Sequence, residues 1–348
     1  MKRRKGLAVT LAAAMVCSML FMGCSSGGGQ EKAGENAAKT EDTKEDTVKA
    51  DDASKDGAQG DQTYKIGMSI DTTSQAWRAG LVEDVSKEAA KHPQVELTIT
   101  DASGNTEKQI SDVEDLITKG VQAILISPIE SKPLANVCKK AYDQGIHVIV
   151  LDRELEGEDW TCFIGANNRD IGAAAGDFLV KYMDENHYTK LVEIQGTPGS
   201  SPCRDRSEPM MEKIQGTDIE LVAQQTANWT ENEAVEVTEN LLQAYPKGEI
   251  EVIYAQCDVM ALGALKAMKS AGREEIKIVS VDGQKEALEA IKDGSIVGTF
   301  TYPFPGAAGV QVAMKLIDGE TVEKNIGMES VFIDSSNVDE YYNPDSAF

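Results

Sequence analysis

The chain has 348 residues, and its 58 acidic against 34 basic side chains give a formal net charge of −24 at pH 7. A chain this acidic repels phosphate backbones and anionic lipid surfaces, so nucleic acid is a poor partner. The stretch from Tyr64 to Phe348 is too long for one small core and suits two lobes of ordinary domain size.

The first 24 residues have the pattern of a targeting signal. The basic run Lys2–Lys5 precedes an uncharged, mostly apolar stretch over Gly6–Gly23, and Cys24 follows. This pattern resembles a bacterial lipoprotein signal peptide over 1–24, in which Cys24 becomes the lipidated first residue. An uncleaved transmembrane anchor is the alternative, because the uncharged stretch is almost long enough to span a bilayer. Either way we expect the rest of the chain to be extracytoplasmic and anchored to the cell membrane.

The segment over 25–63 has the composition of a disordered acidic linker. It carries ten acidic and five basic residues, no aromatic residue, and Val48 as its only large aliphatic side chain. Such a segment cannot bury enough apolar surface to offset the entropy lost on ordering. We therefore expect a flexible spacer between the membrane and the folded part.

From Tyr64 onward, apolar runs of strand length alternate with segments of helical period. The runs are Ile66–Ile70, Val95–Thr100, Ala123–Ser127, His147–Leu151, Leu191–Ile194, Leu221–Ala223, Val252–Tyr254, Ile276–Val281 and Ile296–Phe300. Capping-box spacings place helix starts at Thr106 and Thr230. The alternation runs twice and is followed by one further helix and strand. It predicts two similar α/β lobes, each a doubly wound parallel sheet covered on both faces.

Polar side chains follow several of the predicted strands, at the edge where open parallel sheets bind ligands. They are Asp71, Asp152–Arg153, Gln195–Gly196, Cys257–Asp258 and Asp282–Gly283. Carboxylates accept hydrogen bonds and guanidinium groups donate them, which suits a neutral ligand with many hydroxyl groups. Trp77 and Trp229 offer flat apolar faces for the C–H side of a sugar ring.

Each of these residues also has an ordinary structural explanation. Asp152–Arg153 by itself could be a solvated ion pair, and Asp282–Gly283 could be a turn signal. Asp258 is expected to be the N-cap of the helix that follows it. Trp77 could fill a core, and Arg206 could be an exposed helix charge. No one of these residues establishes a site by itself.

The sequence contains no convincing catalytic, cofactor or metal motif. Hydrolysis needs a nucleophile with a base or two placed carboxylates, and His92, His147 and His187 lie in surface-like or strand segments. No P-loop, dinucleotide fingerprint or nucleophile elbow is present. No CxxC motif occurs, so we expect packed thiols rather than metal ligands at Cys138, Cys162, Cys203 and Cys257. The chain is therefore predicted not to be an enzyme and to use no cofactor.

Several motifs resemble those of type I periplasmic binding proteins, the ribose-binding and galactofuranose-binding group that serves ABC importers. They are Val150–Arg153, Gln195–Gly196 with Arg204–Arg206, Tyr254–Asp258 running into Met260–Ala264, and Val281–Gly283. The resemblance covers nearly all of the chain from Tyr64 to about Asp334. It implies an N-terminal lobe over 64–166 and 303–330, a C-terminal lobe over 167–302 and 331–348, and a hinge of three crossings.

The resemblance also implies a set of ligand-binding residues. Hydrogen bonds to a sugar are expected from Asp152, Arg153, Arg206 and Asp282, and stacking is expected from Trp77 and Trp229. The remaining pocket positions are Gln75, Arg78, Cys257 and Tyr302. Cys257 stands where the family usually has Asn, and Tyr302 stands where ribose binders have Gln. These departures disfavour ribose, and the likeness of Trp77–Ala79 to the galactofuranose-binding branch favours a hexose or a furanose.

The function implied by the resemblance is the capture of one monosaccharide between the lobes and its delivery to an ABC permease by a monomeric, lipid-anchored receptor. A sensory protein for a chemoreceptor or kinase is an alternative, as is a binder of a cyclitol or a furanosyl signal. An enzyme acting on carbohydrate is a third alternative, which the missing nucleophile and base disfavour.

Overall fold

Two parallel β-sheets, each with helices on both faces, make up the fold. The computed structural model describes residues 62–344 together with Ser346 and Phe348. The predicted signal peptide over 1–24, its Cys24 and nearly all of the predicted linker over 25–63 lie outside the described residues.

The strands and helices alternate along the chain. The strands are β1 (Tyr64–Ile70), β2 (Val95–Asp101), β3 (Ala123–Ile126), β4 (His147–Leu151), β5 (Cys162–Ala166), β6 (Lys190–Gln195), β7 (Glu220–Thr226), β8 (Val252–Ala255), β9 (Lys277–Asp282), β10 (Gly298–Thr301), β11 (Asn325–Met328) and β12 (Phe332–Asp334). The helices are α1 (Ala76–Ala90), α2 (Thr106–Thr118), α3 (Ser131–Asp143), α4 (Asn168–Asn186), α5 (Ser201–Ile214), α6 (Glu231–Ala244), α7 (Asp258–Ala271), α8 (Lys285–Lys292), α9 (Gly306–Ile317) and α10 (Val338–Tyr341).

Each sheet has six strands, ordered β11-β5-β4-β3-β1-β2 in the first and β12-β10-β9-β8-β6-β7 in the second. Neighbouring strands are parallel, except that β10 and β12 are antiparallel. The predicted fold class of two similar doubly wound lobes is confirmed. Every apolar run predicted to be a strand overlaps one. Strand β5 escaped that prediction because Gly165 and Ala166 shorten its run of large apolar residues.

The chain crosses between the two sheets three times. It leaves the first sheet after β5 and enters α4, whose Ile171 packs in the core of the second sheet. It returns after β10 to α9, whose Val310 packs in the core of the first sheet. It crosses again between β11 in the first sheet and β12 in the second. The residues at these crossings therefore connect the two lobes.

The central strands are buried on both faces, as continuous apolar runs predict. All four residues of β3 are buried, and so are the last five residues of β1. Each fully buried large aliphatic side chain contributes about 1.5–3 kcal/mol, so these strands anchor the sheet. The edge strand β2 has a mixed pattern with no fully buried residue. No helix in the described part of the chain is both long enough and apolar enough to cross a membrane.

The helix starts agree with the capping prediction at one of two positions. Thr230 accepts a hydrogen bond from the backbone N–H of Glu233 at 3.3 Å and caps α6, as predicted. The helix start predicted at Thr106 is confirmed, but the capping role of Thr106 is wrong, because Asn105 caps α2 by accepting from the N–H of Lys108 at 2.8 Å. An Asn side chain reaches the free N–H groups of the first turn as well as Thr does, so the cap shifts by one residue.

Candidate functional site

A small cavity of about 50 Å³ lies where the C-terminal ends of strands from both sheets meet. All the predicted site residues except Arg153 line it, namely Gln75, Trp77, Arg78, Asp152, Arg206, Trp229, Cys257, Asp282 and Tyr302. The folding of the two sheets therefore brings together residues that are far apart in sequence.

Asp152 is the carboxylate of the first sheet, at the end of β4, in a left-handed conformation with φ of 66°. Its Oδ2 receives hydrogen bonds from Nη1 of Arg78 and, at 3.3 Å, from the hydroxyl of Ser127. Burial raises the pKa of Asp152, but Arg78 and Arg153 outweigh that effect and hold the pKa below its usual value. Asp152 is therefore ionised and held by fixed donors. Its backbone strain at a cavity wall is typical of functional sites.

Arg78 is the cation of the first sheet's side of the cavity and is only 5% exposed. Its Nε lies 3.2 Å from Oδ1 of Asp71, and its Nη1 contacts Asp152 and the hydroxyl of Ser127. Burial lowers the pKa of Arg78, but Asp152 and Asp71 raise it further than burial lowers it. Arg78 is thus charged, and the carboxylates of Asp71 and Asp152 balance its charge.

Arg153 lies behind Asp152 and is not among the residues that line the cavity. Its Nη1 is 2.9 Å from Oδ2 of Asp71 and donates to the carbonyl oxygens of Pro128 and Ile129. Its Nη1 is thus occupied by protein acceptors, whereas its buried Nε has no hydrogen-bond partner among the described residues. Arg78, in the distant helix α1, takes the position on the cavity wall.

Arg206 and Asp282 form the charged pair of the second sheet's side. Nε of Arg206 donates to Oδ1 of Asn168 at 2.8 Å, its Nη1 donates to the carbonyl oxygen of Gln256, and Nη1 lies 3.8 Å from Oδ1 of Asp282. Burial raises the pKa of Asp282 well above its usual value; the charge of Arg206 opposes this, whereas Asp258 and Asp152 add to it. Asp282 is therefore less well compensated than Asp152. Its φ of 140° marks a second strained residue.

The turn after Asp282 is held by a buried carboxylate. Asp258 accepts from the hydroxyls of Ser280 and Thr299 and, at 2.6 Å, from the N–H of Gln284. The predicted N-cap role of Asp258 is wrong, because Cys257 occupies the cap position of α7. Asp258 instead fixes the backbone that carries Asp282.

Tyr302 joins the two sides of the cavity from a crossing between the lobes. Its hydroxyl donates to Oδ1 of Asp152 at 2.7 Å and accepts from Nδ2 of Asn168 at 3.0 Å. Since Asn168 also accepts from Arg206, the hydrogen bonds run from Asp152 to Arg206 without a break. The guanidinium carbon of Arg206 lies 4.4 Å from the centre of the Tyr302 ring. The phenol thus connects the charged groups of both lobes.

Aromatic rings form the apolar walls. The ring centre of Trp77 is 5.3 Å from that of Tyr302 and 5.2 Å from that of Phe304, and Phe304 is 5.1 Å from Phe348. Trp229 packs so closely on Gly196 that a Cβ there would lie 1.9 Å from the indole ring. Only glycine fits at that position, which explains the Gln195–Gly196 motif.

Gln75 and Cys257 complete the predicted set. Nε2 of Gln75 donates to the carbonyl oxygen of Asn228 at 3.4 Å, a contact between α1 and the segment before α6. Burial raises the pKa of the Cys257 thiol well above its usual value, so the thiol remains protonated. All four cysteines in the described residues are buried and free.

Five further residues line the cavity that the sequence did not single out. They are Ala76, Pro202, Val259, Gln284 and Phe348. Gln284 could have been found, because it directly follows the Asp282–Gly283 pair. Phe348 had no signal, because only the folding of the chain brings it to Phe304.

The arrangement is suited to binding a neutral polar molecule. Its two carboxylates balance its two guanidinium groups, so a ligand that carries a net charge would be left without a counter-charge. Within the residues described here, no cluster of His, Cys, Asp and Glu could hold a metal ion. Hydroxyl groups can both donate to the carboxylates and accept from the guanidinium groups.

The chain is similar to known proteins along most of its length. A family model described as a periplasmic binding protein domain matches residues 66–321. The ribose import binding protein of Salmonella typhimurium is 33% identical over 261 residues, which cover 74% of this chain and 86% of that protein. The fructose import binding protein of Bifidobacterium longum is 28% identical over 346 residues, which cover 97% and 96%. The solved fructose-binding periplasmic domain of a hybrid two-component system has a TM-score of 0.74 and 30% identity, and the match covers 80% of this chain and 92% of that domain.

Proposed function

The chain belongs to the periplasmic binding protein domain family, and from this premise we propose that it captures one neutral monosaccharide between its lobes and delivers it to an ABC permease. The family predicted from the sequence motifs is thereby confirmed. The observation that carries the proposal is the cavity in which Arg78, Asp152, Arg206 and Asp282 meet.

Ligand binding would drive the closure of the two lobes. The lobes are taken as 64–166 with 303–330, and 167–302 with 331–348, joined by the three crossings. A ligand that touches both lobes only in the closed form has a higher affinity for that form, and this difference shifts the equilibrium towards it. The hydrogen bonds of Tyr302 support this, because they connect Asp152 in one lobe to Asn168 in the other. The closed shape would then be what the permease recognises.

The proposed ligand is a hexose or a furanose rather than ribose. The hydroxyl of Tyr302 already occupies one oxygen of Asp152, and the buried thiol of Cys257 is a weak donor and acceptor. The pocket therefore offers a different set of partners from the Asn and Gln of ribose binders. The names of the relatives, which include a ribose and a fructose binding protein, support a monosaccharide as the class of ligand.

The proposed location is the outer side of the cell membrane, with a lipid on Cys24 as the anchor. The pattern of the first 24 residues supports this, and so does the kind of relative that the chain has. We take the receptor to be a monomer that performs no chemistry on its ligand and needs no cofactor.

A sensory role is the second candidate, because one similar solved domain comes from a hybrid two-component system. In that case the same closure would be read by a chemoreceptor or a kinase. A cyclitol or a furanosyl signalling molecule would suit the same cavity. Incubation with sugars followed by mass analysis tests the enzymatic alternative, since any turnover would overthrow the receptor function.

The test is a thermal-shift screen of the purified chain over pentoses, hexoses and cyclitols. A sugar that binds only the folded state raises the melting temperature. Asp282→Ala should lower the affinity for the best sugar about 10-fold to 100-fold, because a hydrogen bond to a charged group is worth about 1.5–3 kcal/mol. Asp184→Ala, an exposed change on α4, is the control and should leave the affinity unchanged. No shift with any sugar, or equal affinities for both variants, would contradict the proposal.

A further inference from the structure

Two buried polar atoms on residues that line the cavity have no hydrogen-bond partner within the described part of the chain. They are the indole nitrogen Nε1 of Trp229 and the amide oxygen Oε1 of Gln284. Both side chains are only 9% exposed. One atom is a donor and the other an acceptor, and a buried group without a partner costs free energy that a partner would recover.

The amide of Gln284 is held in one orientation. Its Nε2 donates to Oε2 of Glu286 at 2.9 Å, which leaves Oε1 as the unused half of the amide. Its backbone N–H donates to Oδ2 of Asp258 at 2.6 Å, and Asp258 is itself held by Thr299 at 2.7 Å. The acceptor therefore has little freedom to find another protein partner. It is also fixed relative to Asp282, two residues earlier.

The indole of Trp229 is fixed in a similar way. Its residue has a φ of 63°, and the ring packs on Gly196, where no side chain fits. The guanidinium carbon of Arg206 lies 5.7 Å from the ring centre. The N–H group consequently keeps its position, and a molecule in the cavity that Trp229 lines can supply its partner.

We propose that Gln284 is a specificity-determining residue whose Oε1 accepts a hydrogen bond from one ligand hydroxyl, while Nε1 of Trp229 donates to a ligand oxygen. This assignment rests on the proposed function and extends it, because it adds two polar contacts to those implied by the family resemblance. The ligand class is a polyol with hydroxyl groups to spare after Asp152, Arg206 and Asp282 have been satisfied. A hexose or a cyclitol meets this requirement better than a smaller sugar.

The experiment compares Gln284→Met with the wild-type chain. Met has a similar length but lacks the acceptor, and Trp229→Phe keeps a ring while removing the N–H donor. The probes are the tightest binder among D-ribose, D-fructose, D-galactose and myo-inositol, together with its monodeoxy analogues. Calorimetric titration gives Kd for each pair, and Gln144→Met, an exposed change at the end of α3, is the matched control.

The wild-type chain should bind one monodeoxy analogue about tenfold more weakly than the parent, since the buried acceptor is then left unpaired. Gln284→Met should bind the parent about tenfold more weakly and show no further loss with that same analogue. Trp229→Phe should weaken binding of the parent without changing which hydroxyl Gln284 selects. A purely structural role would weaken all probes equally, and that result would overturn the assignment.

The outcomes separate the two proposals. If the wild-type chain binds none of the probes, the proposed function and the assignment both fail. If the wild-type chain binds a probe and Gln284→Met binds it equally well, only the assignment fails. Unfolding in urea checks that each variant is folded, and Gln284→Glu, which keeps an acceptor, should retain the selectivity among analogues if Gln284→Met unfolds.

Discussion

The two sides of the cavity hold their buried charges in different ways. On the first sheet's side, Arg78 pairs with Asp71 and Asp152, and Arg153 pairs with Asp71 at 2.9 Å. On the second sheet's side, Arg206 lies 3.8 Å from Asp282 and donates its close hydrogen bonds to neutral acceptors, the side-chain oxygen of Asn168 and the carbonyl oxygen of Gln256. The buried charges of the first side are therefore paired before a ligand binds. On the second side Asp282 has no cation as close as these, so it is left to accept a hydrogen bond from a ligand.

This difference separates stability from binding. A compensated ion network contributes to folding only while it is complete, because removing one member leaves a buried charge without a partner. A poorly compensated carboxylate costs stability and gains a hydrogen-bond partner when a hydroxyl group binds. The first side should therefore dominate measurements of stability, and the second side those of affinity.

The largest expected effect is on the first side. Arg78→Met removes the partner of two buried carboxylates, Asp71 and Asp152, and should lower the free energy of unfolding by about 3–5 kcal/mol. Urea unfolding measures it. Arg169→Met removes an arginine that is half exposed, and it should cost less than about 1 kcal/mol. If the two variants lost the same free energy of unfolding, the buried ion pairs of Arg78 with Asp71 and Asp152 would contribute no more than an exposed ion pair.

A smaller effect is expected from pH on the second side. The pKa of Asp282 is raised by burial, so at neutral pH its ionised form costs the folded state free energy, about 1.4 kcal/mol per pKa unit. Lowering the pH towards the unfolded-state pKa of about 3.9 relieves this cost. The pKa of Asp152 is lowered, so its contribution persists above about pH 4 and is lost below it.

Asp282→Asn removes the titrating carboxyl group, so a comparison with the wild-type chain measures the pH-dependent stability cost of Asp282. The wild-type chain should gain stability relative to Asp282→Asn as the pH falls from 8 to 5, as read from urea unfolding at each pH. Arg206 stays charged in both chains, but burial raises the pKa of Asp258 to about 6, so Asp258 titrates in the same range and the measured difference belongs to the Asp258–Asp282 pair. A stability difference that does not depend on pH would show that Asp282 is compensated as well as Asp152.

The smallest effect concerns the connection between the two sides. Tyr302→Phe removes the hydroxyl that bridges Asp152 and Asn168 and should cost about 1 kcal/mol of stability. It also frees one oxygen of Asp152, so the preference among sugars should change. Tyr142→Phe, an exposed change on α3, is the control and should alter neither quantity. If the two variants behave alike, Tyr302 is only an apolar wall.

Much of the fold follows from local pattern. Continuous apolar runs such as Ala123–Ile126 predict buried parallel strands, because such runs can be satisfied only when both faces of a sheet are covered. Strand β5 and the cap at Asn105 were missed, since small residues and adjacent polar residues do not give a distinct local signal. Asp258 looked like a cap, yet its carboxylate is used by Ser280 and Thr299 on neighbouring strands.

The candidate site is less predictable than the fold. Asp152, Arg206 and Asp282 could be named because strand ends of parallel sheets converge and because the motifs resemble a family. The position of Arg153 behind Asp152 could not be named, since adjacent residues at a strand end point in different directions. Phe348 joins the cavity through its contact with Phe304, which no local pattern encodes.

By itself, the sequence determined the class of fold, the two-lobed plan and the positions where polar groups meet. These follow from hydrophobic periodicity and from the alternation of strands and helices, which can be read along the chain. Only the tertiary structure decided how charge is divided around the cavity. The pairing of Arg78 with Asp152, the looser pairing of Arg206 with Asp282 and the unpaired oxygen of Gln284 depend on distances of a few ångströms between distant segments. The strength of electrostatic and hydrogen-bond interactions changes steeply over such distances, and sequence spacing does not record them.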